Sequence, residues 1–182
     1  MNDNHYILTI GYGNRSISEF IEILSLWKIK FLVDLRSKPY SKFKPEFNKR
    51  ELEKYLQENK IRYVFMGDSI GGLPDDRSCY TDDRVDYDKV KTKEFYQNGI
   101  DRLIKAYSDN LSVAIMCSEA KPENCHRSKL IGESLIEKSI IVKHIDENGE
   151  IISQDEVIRK VVGDQLELFH GQTERLTSRG RY

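Results

Sequence analysis

Six residues with chemically active side chains fall close together in the middle of this sequence. They are Cys117, Ser118, Glu119, Cys125, His126 and Arg127. A thiol beside a cation at a helix start has a lowered pKa and can act as a nucleophile. A histidine can act as a general acid or base near neutral pH, and a carboxylate can also carry protons. The segment therefore predicts acid–base or thiol chemistry, with Glu119, His126 and Cys125 as candidate catalytic residues.

The same segment predicts an anion site at the start of a helix. Free backbone N–H groups and the helix dipole favour negative charge there, and Arg127 adds a rigid fork of donors. Helical spacing turns His126 and Arg127 toward the sheet, whereas Cys125 aligns with a flank of the helix. In the alternative interpretation, Arg127 holds an acidic side chain such as Glu119.

A second pair of charged residues ends a buried strand. Asp34 and Arg36 are two positions apart and share one face of the strand. In a parallel sheet they would lie at the carboxyl edge, where ligand crevices form. Asp34 is then a fourth candidate for proton transfer and Arg36 a candidate ligand for an anion. The alternative is that the two side chains pair with each other or with nearby backbone.

Two loops have the composition of phosphate-binding segments. Residues 11–16 form a glycine-containing turn that opens a helix, and Gly11, Gly13, Asn14 and Arg15 are its candidate binding residues. Residues 36–44 interleave basic side chains with aromatic rings and hydroxyls, and Tyr40 and Ser41 join the candidates there. The alternatives are a simple tight turn and a solvated loop.

We predict neither a metal nor a cofactor. A zinc site would have to combine Cys117, Cys125 and His126 with the distant Cys79, and no Cys-x2-Cys pair is present. The glycine turn lacks the third glycine of a dinucleotide fingerprint, because Ser16 occupies that position.

Strands and helices must alternate to position these groups. Short apolar runs near residues 6–10, 31–35, 61–66, 113–117 and 140–144 are separated by stretches with helical periodicity. This order predicts an α/β, Rossmann-like, three-layer domain with a mostly parallel sheet of about five strands and helices on both faces. We expect the domain to span residues 1–163, with a long functional or mobile loop at 67–91 and a tail at 164–182.

Composition excludes several classes of protein. The formal net charge is −1, which argues against a strongly basic nucleic-acid coat. No apolar run reaches the length of a membrane span, so we expect no membrane association. Three cysteines are an odd number in a chain long enough for a hydrophobic core, which indicates a reducing, cytoplasmic setting.

Several separated motifs, in order, resemble the family called domain of unknown function 488. They are residues 9–16, Asp34-x-Arg36-x-x-Pro39-x-Ser41, Gly71-Gly72-Leu73, residues 95–103, residues 116–119, Cys125-His126-Arg127, and His144-Ile145 followed by Gly149. Tyr12 stands where the family often has a histidine. The resemblance covers nearly the whole chain and implies an α/β domain whose polar motifs gather at one site.

The tail carries one further motif. Gln165, Leu166, Leu168 and Phe169 resemble the peptide by which bacterial polymerases and repair proteins bind the DNA sliding clamp.

Taken together, the acidic, basic and thiol groups expected at one sheet edge favour an intracellular enzyme of hydrolase or lyase type acting on nucleic acid or a nucleotide-like phosphate compound. The alternatives are a non-catalytic DNA-associated module recruited to the clamp, and a structural α/β module whose polar cluster is an internal ion-pair network.

Overall fold

A mostly parallel sheet runs through the centre of the protein, for which a computed structural model describes residues 5–162. Its strands are β1 (Ile7–Gly11), β2 (Phe31–Asp34), β3 (Arg62–Phe65), β6 (Val113–Cys117), β7 (Val142–Ile145) and β8 (Ile151–Ser153). The strand order is β3-β2-β6-β1-β7-β8, and β8 alone runs antiparallel to its neighbour. The predicted fold class is confirmed, with six strands in this sheet where the sequence predicts about five.

Helices cover both faces of the sheet. They are α1 (Ile17–Leu26), α2 (Lys49–Glu58), α3 (Tyr87–Lys91), α4 (Glu94–Ser108), α5 (Glu133–Ile136) and α6 (Gln154–Val162). Phe20, Leu24 and Leu52 of the first two helices pack on one face of the sheet. Ile100 and Leu103 of α4 pack on the other face. These two cores arise because successive strand residues point to opposite faces, and they give the three predicted layers. Among residues 5–162, no helix is both long and apolar enough to cross a membrane.

The segment predicted as a long loop, residues 67–91, contains short elements of its own. A 3₁₀ turn at Arg77–Cys79 leads into a hairpin of β4 (Tyr80–Thr81) and β5 (Arg84–Val85), and α3 follows. Cys79, Val85 and Tyr87 are buried in the core beside α4. These buried side chains anchor residues 67–91 to the core. The anchored segment places Gly72 at the pocket at the carboxyl edge of the sheet.

The backbone after β6 departs from the predicted regular helix. Pro122–Asn124 form a 3₁₀ turn, Cys125 is extended (φ −122°, ψ 148°), and a π-helical turn at Arg127–Gly132 leads into α5. The helical spacing that turned Cys125 toward a flank does not apply, because this residue precedes the helix. π-Helical turns are rare and often occur at functional sites.

A buried hydrogen-bonded chain ties this π-helical turn to the sheet. Thr9 contacts His144 Nδ1 at 2.7 Å, and His144 Nε2 contacts Gln154 Oε1 at 2.6 Å. Gln154 in turn donates to the carbonyl oxygen of Ser128 at 3.0 Å and to Glu133. Burial lowers the pKa of His144 to about 3, and the charge of Arg127 acts in the same direction.

We expect His144 to make the protein less stable as the pH falls. Between pH 6.5 and about 3, the unfolded chain binds a proton at this residue and the folded protein does not. The stabilisation is complete above the unfolded pKa and declines by up to about 1.4 kcal/mol per pH unit as the pH drops through this window. Urea unfolding of the wild type and of His144→Asn near pH 7 and about pH 5 measures this contribution. The variant is less stable near pH 7, and the difference shrinks at the lower pH; parallel pH dependences would contradict the assignment.

Candidate functional site

A pocket of about 300 Å³ opens at the carboxyl edge of the sheet, above the ends of β1, β2 and β6. Residues with chemically active or charged side chains form much of its wall. They are Tyr12, Arg36, Lys38, Cys117, Glu119, Cys125 and His126. The structure thus brings together the polar residues that the sequence places after separate strands. The volume suits a small molecule or a single nucleotide unit.

Two thiols meet at this pocket. The Cys117 and Cys125 sulfurs lie 2.7 Å apart, and both residues are buried with free thiols. Cys117 ends β6, and Cys125 follows the 3₁₀ turn eight residues later. The backbone between them folds back so that the two side chains come into contact. The sequence predicts that Cys125 lies on a flank of the helix. The structure instead places it against Cys117.

The surroundings of the two sulfurs differ, and so do their pKa values. Burial raises the pKa of Cys117 well above its ordinary range. Burial also acts to raise the pKa of Cys125. However, the hydrogen bond from Cys117, the charge of Arg127 and the Arg127 backbone N–H together lower it to about 7. Cys125 is therefore substantially ionised near neutral pH, while Cys117 stays a thiol and donates to it.

Arg127 lies beneath the two thiols and is fully buried. Its guanidinium donates to Cys117 Sγ at 2.9 Å, to the Ala120 carbonyl oxygen at 2.9 Å, and to the Glu119 carbonyl oxygen. The sequence predicts that Arg127 binds a ligand or holds the Glu119 carboxylate. The structure places it outside the pocket wall and directs it at backbone carbonyls, so its role is to position this segment and to supply positive charge to the sulfurs.

Close backbone approach at Gly11 makes room for that guanidinium. A Cβ at this position would lie 1.6 Å from the Glu119 carbonyl oxygen and 2.5 Å from Arg127 Nη1. The need for glycine here is therefore steric.

His126 and Glu119 complete the chemically active part of the wall. His126 Nδ1 lies 3.6 Å from Cys125 Sγ, and burial lowers the pKa of the imidazole. The ring is consequently neutral near pH 7 and able to accept a proton from the thiol. Gly72 packs against this ring, since a Cβ there would lie 2.8 Å from His126 Nδ1. Glu119 lies on the wall of the same pocket.

Asp34 and Arg36 form a buried ion pair. Arg36 Nε and Nη2 donate to the Asp34 carboxylate at 2.9 and 2.6 Å, and the Tyr63 hydroxyl donates to it at 2.8 Å. This is the alternative that the sequence left open. Asp34 is fully buried and is not part of the pocket wall, so its carboxylate serves to hold Arg36. Arg36 lines the pocket, is 7% exposed, and keeps one buried nitrogen, Nη1, without a hydrogen-bond partner among residues 5–162.

Aromatic rings and a lysine extend the wall beside Arg36. The Arg36 guanidinium lies 5.4 Å from the centre of the Tyr12 ring, which stacks on Phe47 at 4.3 Å. Lys38 and Tyr40 line the same side of the pocket, and Tyr40 is 70% exposed. The sequence assigns no role to Tyr12, although its place directly after Gly11 at a strand end is a signal that could have identified it.

The family of this chain follows from a match over most of its length. The family model described as "Domain of unknown function DUF488" matches residues 16–133. The chain belongs to this family. No curated protein and no solved structure matches the chain.

The DUF488 match contains the ion pair, both pocket cysteines, His126 and Arg127. The turn at residues 11–15 precedes the matched range, and the structure gives it contacts different from those predicted. Gly13 N–H donates to the Ser118 carbonyl oxygen, and Arg15 donates to the carbonyl oxygens of Gly11 and Asp146. The hydrogen bonds of this turn connect it to the segment after β6 and to β1. The pocket wall therefore includes none of the predicted binding residues of the turn, which are Gly11, Gly13, Asn14 and Arg15.

Two further predictions concern residues away from the pocket wall. Ser41 stabilises the loop of residues 36–44 in this DUF488 protein. Its N–H donates to the Asn48 side chain, and its hydroxyl accepts from the Lys44 N–H. The predicted clamp-binding residues Gln165, Leu166, Leu168 and Phe169 lie outside the described residues, and clamp binding stays a prediction. Within residues 5–162, no group of three or more His, Cys, Asp or Glu side chains is arranged to hold a metal ion.

Proposed function

We propose that this DUF488 protein is an enzyme that uses Cys125 as a nucleophile on a small phosphate-bearing, nucleotide-like compound. The observation that carries the proposal is the position of Cys125. Its sulfur lines a pocket, lies 2.7 Å from Cys117 Sγ, accepts a hydrogen bond from the Arg127 N–H, and lies beside the His126 imidazole. A nucleophile stabilised as a thiolate next to a base is the arrangement that covalent catalysis requires.

The anionic part of the substrate is assigned to the part of the wall formed by Arg36 and Lys38. Arg36 is held by Asp34 with its Nη1 nitrogen unpartnered among the described residues, and Lys38 adds a second positive charge. A buried guanidinium N–H without a partner is costly, and a phosphate oxygen supplies the acceptor that it lacks. The exposed Tyr40 ring offers a surface on which a nucleobase can stack.

In the proposed reaction, the neutral His126 imidazole takes the thiol proton, and the Cys125 sulfur bonds to the electrophilic atom of the substrate as the bond from that atom to the leaving group breaks. The proton passes from His126 to the leaving group by way of Glu119, which lies on the same wall. Water, giving a proton to His126, then attacks the same atom of the covalent intermediate, which breaks its bond to sulfur and restores Cys125. Arg127 acts through Cys125 as a positioning residue and does not touch the substrate.

Alkylation by iodoacetamide tests the nucleophile. We expect modification of Cys125 to have a pH midpoint near 7, below the value of about 8.5 for a free thiol. Mass spectrometry of tryptic peptides identifies the modified residue, and Cys125→Ser is the matched control. A midpoint in the ordinary thiol range would contradict the proposal.

Protection from alkylation tests the substrate class. Adenosine monophosphate should slow the modification of Cys125, whereas adenosine, which lacks the phosphate, should not. Lys38→Gln weakens this protection, and Lys42→Gln, an exposed lysine of the same loop that does not line the pocket, leaves it unchanged. Equal behaviour of the nucleotide and the nucleoside would remove the assignment of the anion to this wall.

A further inference from the structure

We propose that Cys117 and Cys125 are a dithiol redox site that closes to an intramolecular disulfide when a hydroperoxide enters the pocket. Their sulfurs lie 2.7 Å apart with both thiols free. A disulfide bond needs about 2.0 Å between sulfurs, so the bond requires only a small movement of the two side chains. This proposal concerns a reaction of the protein's own sulfurs and does not require a substrate.

The positions of the two cysteines define the site. Cys117 ends a central strand, and Cys125 is held at the end of the 3₁₀ turn by its own N–H, which donates to the Pro122 carbonyl oxygen at 3.0 Å. The remaining cysteine, Cys79, is buried in the core among α3 and α4 residues and has neither pocket cysteine as a hydrogen-bond partner. Oxidation should therefore link one specific pair.

The asymmetry of the pair assigns a role to each sulfur. Both sulfurs line the pocket, but Cys125 Sγ lies 3.6 Å from His126 Nδ1, accepts a hydrogen bond from the Arg127 N–H and has the lowered pKa, so it reacts first. Cys117 is held as a thiol beside it and is positioned to resolve the oxidised product. A low-pKa thiolate next to a resolving cysteine is the arrangement found in redox-sensitive proteins.

The chemistry balances with hydrogen peroxide as the oxidant. The Cys125 thiolate attacks one peroxide oxygen, so that an S–O bond forms and the O–O bond breaks; the departing hydroxide takes up the proton released from the Cys125 thiol and leaves as water. Cys117 then attacks the sulfur of the sulfenic acid, forming the S–S bond, and its proton leaves with the hydroxyl group as a second water. The two sulfurs lose two electrons in total, and an external dithiol reverses the reaction.

One consequence rests on the function proposed above. The disulfide consumes the Cys125 nucleophile, so the oxidised protein is inactive and reduction restores it. A cytoplasmic thiol pool would keep such a site reduced until peroxide rises.

The wild-type full chain is enough to test the proposal. It is treated with hydrogen peroxide and then analysed by intact-mass and peptide mass spectrometry. We expect a loss of two hydrogens, a cross-linked peptide joining Cys117 to Cys125, one remaining free thiol at Cys79, and full reversal by dithiothreitol. Cys79→Ser should form the same link. Stable sulfinic acid on Cys125 without the link, or a link through Cys79, would overturn it.

Two variants separate the roles of the sulfurs. Cys117→Ser forms no link and accumulates sulfenic and sulfinic acid at Cys125. Cys125→Ser loses its remaining thiols to peroxide on the order of tenfold more slowly than the wild type. A further outcome is that the disulfide forms in a protein whose Cys125 alkylation is not slowed by adenosine monophosphate. That pair of results would support the redox site and remove the proposed substrate class.

Discussion

Replacing Arg127 with methionine is expected to lower the free energy of unfolding by about 3–5 kcal/mol. The side chain is fully buried, and its guanidinium donates to the carbonyl oxygens of Glu119 and Ala120 and to Cys117 Sγ. Methionine fills a similar volume but leaves these acceptors without a donor, and each buried unsatisfied group costs about 1–3 kcal/mol. The urea midpoint should fall while the slope of the transition stays constant.

Arg159→Met is the matched control, because Arg159 is an exposed arginine of α6. Its stability should stay within about 0.5 kcal/mol of the wild type. Arg127→Met should also raise the pH midpoint of Cys125 alkylation, since the Arg127 charge helps to lower that pKa. A purely structural role for Arg127 would reduce stability and leave the midpoint where it was.

Replacing Asp34 with asparagine is expected to cost a similar amount, about 3–5 kcal/mol. The Asp34 carboxylate is fully buried and accepts from Arg36 Nε and Nη2 and from the Tyr63 hydroxyl. Asparagine keeps the shape but removes the negative charge, and Arg36, which is 7% exposed, becomes a buried cation without a counter-ion. Urea unfolding measures the loss, and Asp155→Asn on the exposed side of α6 should change stability little.

A double-mutant cycle shows whether this loss comes from the ion pair. Asp34→Asn, Arg36→Gln and the double variant should give a coupling free energy of roughly 2–3 kcal/mol, because the two side chains share most of their contacts. Additive effects would mean that Asp34 contributes through its contact with Tyr63 and the backbone alone.

Local sequence patterns predicted the strands and the order of the layers. The apolar runs that became β1, β2, β3, β6 and β7 are separated by stretches with helical periodicity, and Ser16 with Glu19 forms a capping box at the start of α1. The sixth strand, β8, has three residues and ends at a helix, so it carries no periodic pattern of its own. It is held in place by its pairing with β7.

Polar residues that follow separate strands line one pocket, as expected, and several of their contacts differ from those expected. Strand ends in a parallel sheet meet at one edge, which is why residues after β2 and after β6 were expected together. The roles of Asp34 and Arg127 depend on which groups lie opposite them. Asp34 lies opposite Arg36 and Tyr63, and Arg127 lies opposite two carbonyl oxygens and a sulfur. Tyr63 is distant from Asp34 in the sequence, and the irregular backbone after β6 brings the partners of Arg127 to its guanidinium, so the spacing of residues does not reveal these contacts.

The amino-acid sequence alone is enough to expect thiol, imidazole, carboxylate and guanidinium groups at the carboxyl edge of one sheet, because the alternation of strands and helices follows from local apolar patterns. The contact of Cys125 with Cys117, and the place of Arg127 beneath them both, come from the folded arrangement of the chain. The backbone between residues 118 and 126 combines a 3₁₀ turn with an extended residue, and a π-helical turn begins directly after it at Arg127. No periodicity describes that path, so the meeting of the two sulfurs is a property of the folded chain.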